Sequence, residues 1–182
     1  MPGTPESIVL GGGCFWCTEA VFKEITGVVE VEPGYAGGNV RNPNYRMVCT
    51  GNTGHAEVVM VKFDPDEIDL KEILQIFFAT HDPTTLNRQG ADFGTQYRST
   101  IMYKDDEQKK IAEETIKELT NDNVFKNPIV TKVEPLGEFY PAEDYHHDYY
   151  AKNPLAGYCM MVISPKVSKL RKKFSDRIKV KN

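Results

Sequence analysis

The order of periodic segments predicts an α+β chain: a two-layer α/β sandwich on a split-βαβ, ferredoxin-like core, followed by a C-terminal extension. Three observations predict it. Through Tyr103 the patterns run strand, helix, strand, strand, helix, strand, which is the order of a split βαβ unit. The 182 residues are 40% hydrophobic and 26% charged, an ordinary globular composition in a chain long enough to bury one core. Past Glu134 periodicity gives way to a segment rich in Tyr, His, Pro and Gly. We therefore expect one domain over 1–182, with a core at about 7–135 and an extension at 136–182.

The first strand is Ile8-Val9-Leu10. Three glycines lead from it to Cys14, where a helical pattern starts and continues to about Ile25, with Val21, Phe22 and Ile25 as core candidates and Gly27 as the C′ residue. Residues 28–31 and 56–63 read as strands. In the second, the period of two places Glu57 on the face of Val59, Val61 and Phe63. If that face is the core, desolvation keeps a proton on Glu57 near neutral pH, as a proton donor requires; otherwise Glu57 is a solvated strand end. Residues 70–79 have helical spacing. The stretch 81–98 has no apolar period, yet its density of Asp, Asn, Gln, Tyr and Arg marks a site-building loop rather than a linker. A strand at 100–103, a helix at 105–120 with acidic first residues and a strand at 129–134 follow.

In the extension, His146 and His147 are neighbours that a helix would point about 100° apart, so they are not expected to share a metal ion. Cys159 lies in a Gly/Pro-bounded segment expected to move. Residues 166–182 carry eight Lys or Arg against one Asp, but Val167, Leu170, Phe174 and Ile178 recur at near-helical spacing. That pattern reads as an amphipathic terminal helix with a solvated basic face, not a nucleic-acid surface.

The net charge is −4, no apolar run approaches a membrane span, and the N-terminus has no basic region before an apolar one, so neither membrane nor signal peptide is expected. Four cysteines are too few for a disulfide scaffold. They point to a reducing, cytoplasmic location with redox-active thiols. No coiled-coil pattern argues for assembly, so a monomer is expected.

The chemistry centres on Gly13-Cys14-Phe15-Trp16-Cys17. A thiol at a helix start is expected to be a thiolate, because the free N–H groups and the macrodipole favour the anion. Phe15 and Trp16 beside it suit a substrate with an apolar, polarizable end. Cys17, three residues on, could close a disulfide, as in thioredoxin-like proteins, or bind zinc. A disulfide reductase of thioredoxin or glutaredoxin type and a zinc-binding interaction module are therefore rival readings. The first leaves Glu57 and the polar loop unexplained, and the second lacks another paired ligand spacing.

Four motifs in this order, Gly13-Cys14-Phe15-Trp16-Cys17, Gly34-Tyr35-Ala36-Gly37-Gly38, Thr53-Gly54-His55-Ala56-Glu57 and the run Gly90 to Ser99, closely resemble peptide methionine sulfoxide reductase A. The resemblance implies a mixed-sheet two-layer fold and reduction of the S epimer of methionine sulfoxide, free or in proteins, with no cofactor or metal. It makes Cys14 the nucleophile, Glu57 the acid that protonates the sulfoxide oxygen, and Tyr45 and Tyr97 donors to that oxygen. Phe15 and Trp16 become the cradle of the substrate methyl group, and Asp92 positions the substrate. Expulsion of methionine leaves a sulfenic acid that a second thiol condenses to a disulfide, with thioredoxin or a similar dithiol as external reductant. The commoner family pattern has glycine where this chain has Cys17. Cys17 is expected to resolve first, with Cys159 taking a second disulfide to the surface and Cys49 a packed bystander.

Overall fold

The computed structural model describes residues 4–179. The strands are β1 (Glu6–Gly12), β2 (Val28–Ala36), β3 (Ala56–Phe63), β4 (Arg88–Gln89), β5 (Asp92–Phe93), β6 (Ser99–Tyr103), β7 (Lys132–Pro135) and β8 (Phe139–Pro141). The α-helices are α1 (Phe15–Lys23), α2 (Tyr45–Cys49), α3 (Leu70–Ala79), α4 (Asp106–Asn121), α5 (Tyr149–Lys152) and α6 (Ser164–Lys173). Six strands form one sheet in the order β7-β6-β1-β3-β2-β8. Its centre, β6-β1-β3-β2, is antiparallel throughout, with β3 inserted between β1 and β2. This is the split-βαβ arrangement expected from the order of elements. Parallel pairing of β7 with β6 makes the sheet mixed.

Alternation along the strands separates two faces. Ile8, Leu10, Val59, Val61, Phe63 and Ile101 join Phe15, Val21 and Phe22 of α1 and Ile73, Leu74 and Phe77 of α3 in the main core. Val9, Ala36, Ala56, Val58 and Met102 form a small cluster on the other face. Local chemistry starts the helices where expected: Asp69 Oδ1 accepts from Glu72 N–H at 2.8 Å to cap α3, and Asp105 Oδ1 from Gln108 N–H at 2.9 Å to cap α4. Phe22, with no exposed surface, sits between α1 and the sheet. Phe22→Ala is expected to lower stability by about 3–5 kcal/mol in urea unfolding. A loss below about 1 kcal/mol would show that the α1–sheet contact is not the centre of the core.

Several boundaries differ from the sequence expectation. Helix α1 ends at Lys23 with Glu24 as its C-cap, and Gly27 instead turns the chain into β2 at φ +94°. Strand β2 runs on to Ala36, through Pro33, because it lies between β3 and the short edge strand β8. The last sequence-expected strand starts at Lys132, not 129. The polar stretch 81–98 contains a two-residue hairpin and a 3₁₀ turn over Thr95–Tyr97. The terminal helix ends at Lys173, with Val167 and Leu170 buried, and Ile178 forms a bridge with Ile25 rather than a further helical turn. The end of that expected helix, 180–182, lies outside the described residues.

The extension folds back on α1. After β8 pairs with β2, His146 packs on Phe15, Tyr149 on Trp16, and α6 is tied to α1 by Arg171 and Glu24 at 2.8 Å. Among the described residues no helix is long and apolar enough to cross a membrane.

Candidate active site

Cys14 is the N-cap of α1, where β1 ends against the start of the helix. Gly13 makes that turn at φ +95°, and a Cβ there would meet the Gln89 side chain at 2.6 Å, so only glycine fits. The first free N–H of the helix, that of Phe15, donates to Glu57 Oε1 at 3.2 Å. A carboxyl group from β3 thus caps α1 across the sheet.

Glu57 is 1% exposed, on the face of Val59, Val61 and Phe63 as the period of two requires. Desolvation pushes its pKa up to about 8, against the Phe15 hydrogen bond, so it carries a proton at neutral pH. Its Oε2 has no hydrogen-bonding partner among the described residues. The Cys14 thiol lies beside this carboxyl group.

Cys14 itself departs from expectation. Burial pushes its thiol well above the usual cysteine range, and the neighbouring Cys17 and Glu57 push in the same direction. A helix terminus stabilises an anion by about 0.3–2 kcal/mol. The net direction for Cys14 is upward, so the cost of desolvating the anion exceeds that gain. The lowered thiol is Cys17, brought to about 7 first by its hydrogen bond with Cys14, then by Lys166 and Tyr158.

Around the thiols stands an aromatic wall. Phe15 stacks with Tyr45 at 6.3 Å between ring centres, and Trp16 with Tyr149 at 3.7 Å. The Trp16 indole N–H donates to His146 Nδ1 at 2.9 Å, which together with Tyr149 holds the ring in one orientation. Tyr45 is the first residue of α2, and Tyr97 the last of the 3₁₀ turn. Burial and the nearby Glu57 raise the pKa of both phenols, so both hydroxyls keep their protons. Asp92, on β5, accepts from Tyr158 O–H at 2.8 Å, and the same hydroxyl lies 3.6 Å from Cys17 Sγ. The structure therefore brings Cys14, Phe15, Trp16, Cys17, Tyr45, Glu57, Asp92 and Tyr97 into one site.

The other two cysteines also differ from the sequence reading. Cys49 is exposed rather than packed, because it ends a five-residue helix whose buried residue is Val48; its thiol lies against the Tyr45 hydroxyl. Cys159 lies on a helical segment. It is fully buried in a π-helical turn over Cys159–Ile163 that leads directly into α6, where burial and nearby Cys17 raise its pKa.

Sequence reasoning missed the groups that the extension contributes. Glu143 accepts from Tyr35 O–H at 2.9 Å and from Tyr45 N–H at 3.0 Å, which holds α2 against the site. His146, Tyr149 and Tyr158 orient Trp16 and Cys17. The density of Tyr and His over 140–158 was the available signal, but nothing in it shows which earlier residues they meet. Among the described residues no group of three or more His, Cys, Asp or Glu side chains is arranged to hold a metal ion.

Comparison with known proteins finds matches over most of the chain. A family model described as peptide methionine sulfoxide reductase matches residues 6–178. The peptide methionine sulfoxide reductase MsrA of Trichodesmium erythraeum is 59% identical over 173 residues, 95% of this chain and 98% of the relative. Mxr1 from Saccharomyces cerevisiae in reduced form superposes with a TM-score of 0.81 at 38% identity, covering 87% of this chain and 91% of the other. The same yeast protein in complex with Trx2 gives a TM-score of 0.58 at 27% identity, with 82% and 87% covered.

Proposed function

This chain belongs to the peptide methionine sulfoxide reductase A family, and from that premise we propose how its own residues divide the reaction. The enzyme reduces the S epimer of methionine sulfoxide to methionine at the expense of thiols, and so repairs oxidised proteins. Cys14 is the nucleophile and Glu57 the acid. The observation that carries this division is the protonated, buried Glu57 carboxyl, whose Oε2 has no partner beside the Cys14 thiol.

A sulfoxide oxygen carries partial negative charge and leaves poorly until protonated. Glu57 gives its proton to that oxygen and takes up the Cys14 proton, so the sulfur becomes nucleophilic only as the substrate becomes reactive. Tyr45 and Tyr97 keep their protons and donate to the same oxygen, and Phe15 and Trp16 hold the methyl end. Asp92, fixed by Tyr158, positions the remainder of the substrate. The S–O bond of the substrate breaks, methionine leaves, and Cys14 is left as a sulfenic acid.

Cys17 then attacks Cys14 sulfur and water leaves, forming the Cys14–Cys17 disulfide; Cys159 exchanges into it to give Cys17–Cys159 and free Cys14. The low pKa of Cys17, about 7, and the position of Cys159 near it support this order. Thioredoxin or a similar dithiol is the external reductant, with no cofactor, in a cytoplasmic monomer. The yeast relative solved with Trx2 supports the reductant, and the four unpaired cysteines support a reducing compartment.

The test separates chemistry from recycling. Cys17→Ser combined with Cys159→Ser should release about one methionine per enzyme and then stop with thioredoxin as donor. Cys17→Ser alone should accumulate sulfenic acid at Cys14. A Cys14–Cys159 disulfide forming first in the wild type, with Cys17 still free, would reverse the order of the two thiols.

A further inference from the structure

We propose that Lys166, in the first turn of α6, is a positioning residue that holds Cys17 as the thiolate which resolves oxidised Cys14. The proposal rests on the assignment of Cys17 as resolving thiol made above.

Lys166 and Cys17 line one narrow cavity between α1, the end of α3 and α6, together with Phe77, Thr80 and His81. Its volume is about 10 Å³, room for at most a single water, so little solvent screens a charge on one wall from a thiol on the other. On its outer side the wall made by Thr80, His81 and Lys166 faces a cleft of about 430 Å³. The lysine is half-buried there, and among the described residues it has no carboxylate partner to neutralise it.

The groups around Cys17 leave that role open. Burial and Asp92 on β5 both disfavour its anion, and Glu57 on β3 and Cys159 before α6 also interact with it. The Cys14 thiol, at the head of α1, supplies its S–H hydrogen bond only until it is oxidised. Tyr158 has one proton for two acceptors, and Asp92 at 2.8 Å is nearer than Cys17 sulfur at 3.6 Å. His81 carries no charge at neutral pH: burial lowers its pKa to about 4, Nδ1–H donates to the Phe77 carbonyl at 2.5 Å, and Nε2 accepts from Ser99 Oγ at 2.7 Å. Once Cys14 is a sulfenic acid, Lys166 is the positive charge that favours the Cys17 thiolate. That thiolate forms the S–S bond, the S–O bond of Cys14 breaks, and the departing hydroxide takes the proton that Glu57 had taken up from Cys14 to become water.

The test is the pH dependence of Cys17 alkylation in the reduced full-length protein. Iodoacetamide is the reagent, since an uncharged probe does not itself respond to the lysine, and fragment mass spectrometry assigns the site. In the wild type the rate should follow a pKa near 7. For Lys166→Met the profile should move up by about one unit, lowering the thiolate fraction at pH 7 from about one half to about one eleventh, a roughly fivefold slower reaction. Lys166→Arg keeps the charge and should restore the wild-type profile. A merely structural lysine would not give that pattern. Lys166→Gln provides a second neutral variant, and circular dichroism checks that each is folded. Coincident profiles for the wild type and a folded neutral variant, or failure of arginine to restore, would overturn the proposal. The resolving assignment fails separately: it is overturned if Cys17→Ser still forms a Cys14 disulfide at the wild-type rate, whatever the alkylation profiles show.

Discussion

Cys14→Ser is expected to release no methionine from methionine sulfoxide, in a single turnover as well as at steady state, with any reductant. The reaction needs a sulfur that can be oxidised to a sulfenic acid, and the Cys14 thiol is the one beside the Glu57 carboxyl. Serine is a favoured N-cap residue, so the replacement keeps or strengthens the start of α1 at the position Cys14 occupies. Loss of activity in a variant at least as stable as the wild type would therefore be chemical. The measurement is methionine released per enzyme after rapid mixing. Release approaching one equivalent would remove Cys14 from the centre of the reaction and leave Cys17, with its pKa near 7, as the next thiol to examine.

Glu57→Gln is expected to slow the first turnover by about 10²- to 10⁴-fold, the usual contribution of a general acid. The amide oxygen of glutamine can still accept from Phe15 N–H, so α1 keeps its cap. What is lost is the proton. In the wild type the rate of the first turnover should be level below the Glu57 pKa of about 8 and fall above it, as the acid becomes a carboxylate. In the variant that limb should vanish. Wild-type speed across neutral pH in Glu57→Gln would transfer the acid role to Tyr45 or Tyr97.

The same group makes stability depend on pH. Its folded pKa, about 8, lies above the ordinary 4.5, so between those values the folded chain binds more protons than the unfolded one. Stability contributed by this site is therefore present below about pH 4.5 and is lost as pH rises toward 8. Glutamine has no such penalty. The melting temperature of Glu57→Gln should exceed that of the wild type by more at pH 9 than at pH 5, and equal differences at both would mean that the carboxyl is not desolvated in the folded state. A buried carboxyl kept in the site at the expense of stability fits the general trade between function and a stable fold.

Much of this site was legible before the fold. A period of two is a local property, and it placed Glu57 on the apolar face of β3, where the structure buries it. Helical spacing likewise located α3 to the residue, because its apolar stripe is a local pattern within ten positions. The order of the four central strands followed from the succession of elements, since few ways exist to bury one sheet face under two helices without crossing connections. The four motifs, with their Cys, Tyr, Asp and Glu, named the reaction and most of the side chains that the structure brings into one site.

Tertiary structure decided the rest, and the residues concerned are far apart in the chain. Trp16 meets His146 across 130 positions, and Cys17 meets Tyr158 across 141, with no periodic pattern to record either contact. The sequence determined that Cys14 would stand at a helix start. It could not determine that the Phe15 N–H would be donated to Glu57 and that the thiol would be buried deeply enough to stay protonated. Nor could it show that Cys49 would be exposed and Cys159 enclosed, since both lie in short helical turns whose environment is made by other segments. Protonation depends on everything within a few ångströms of a group, and periodicity reports only which side of an element the group occupies.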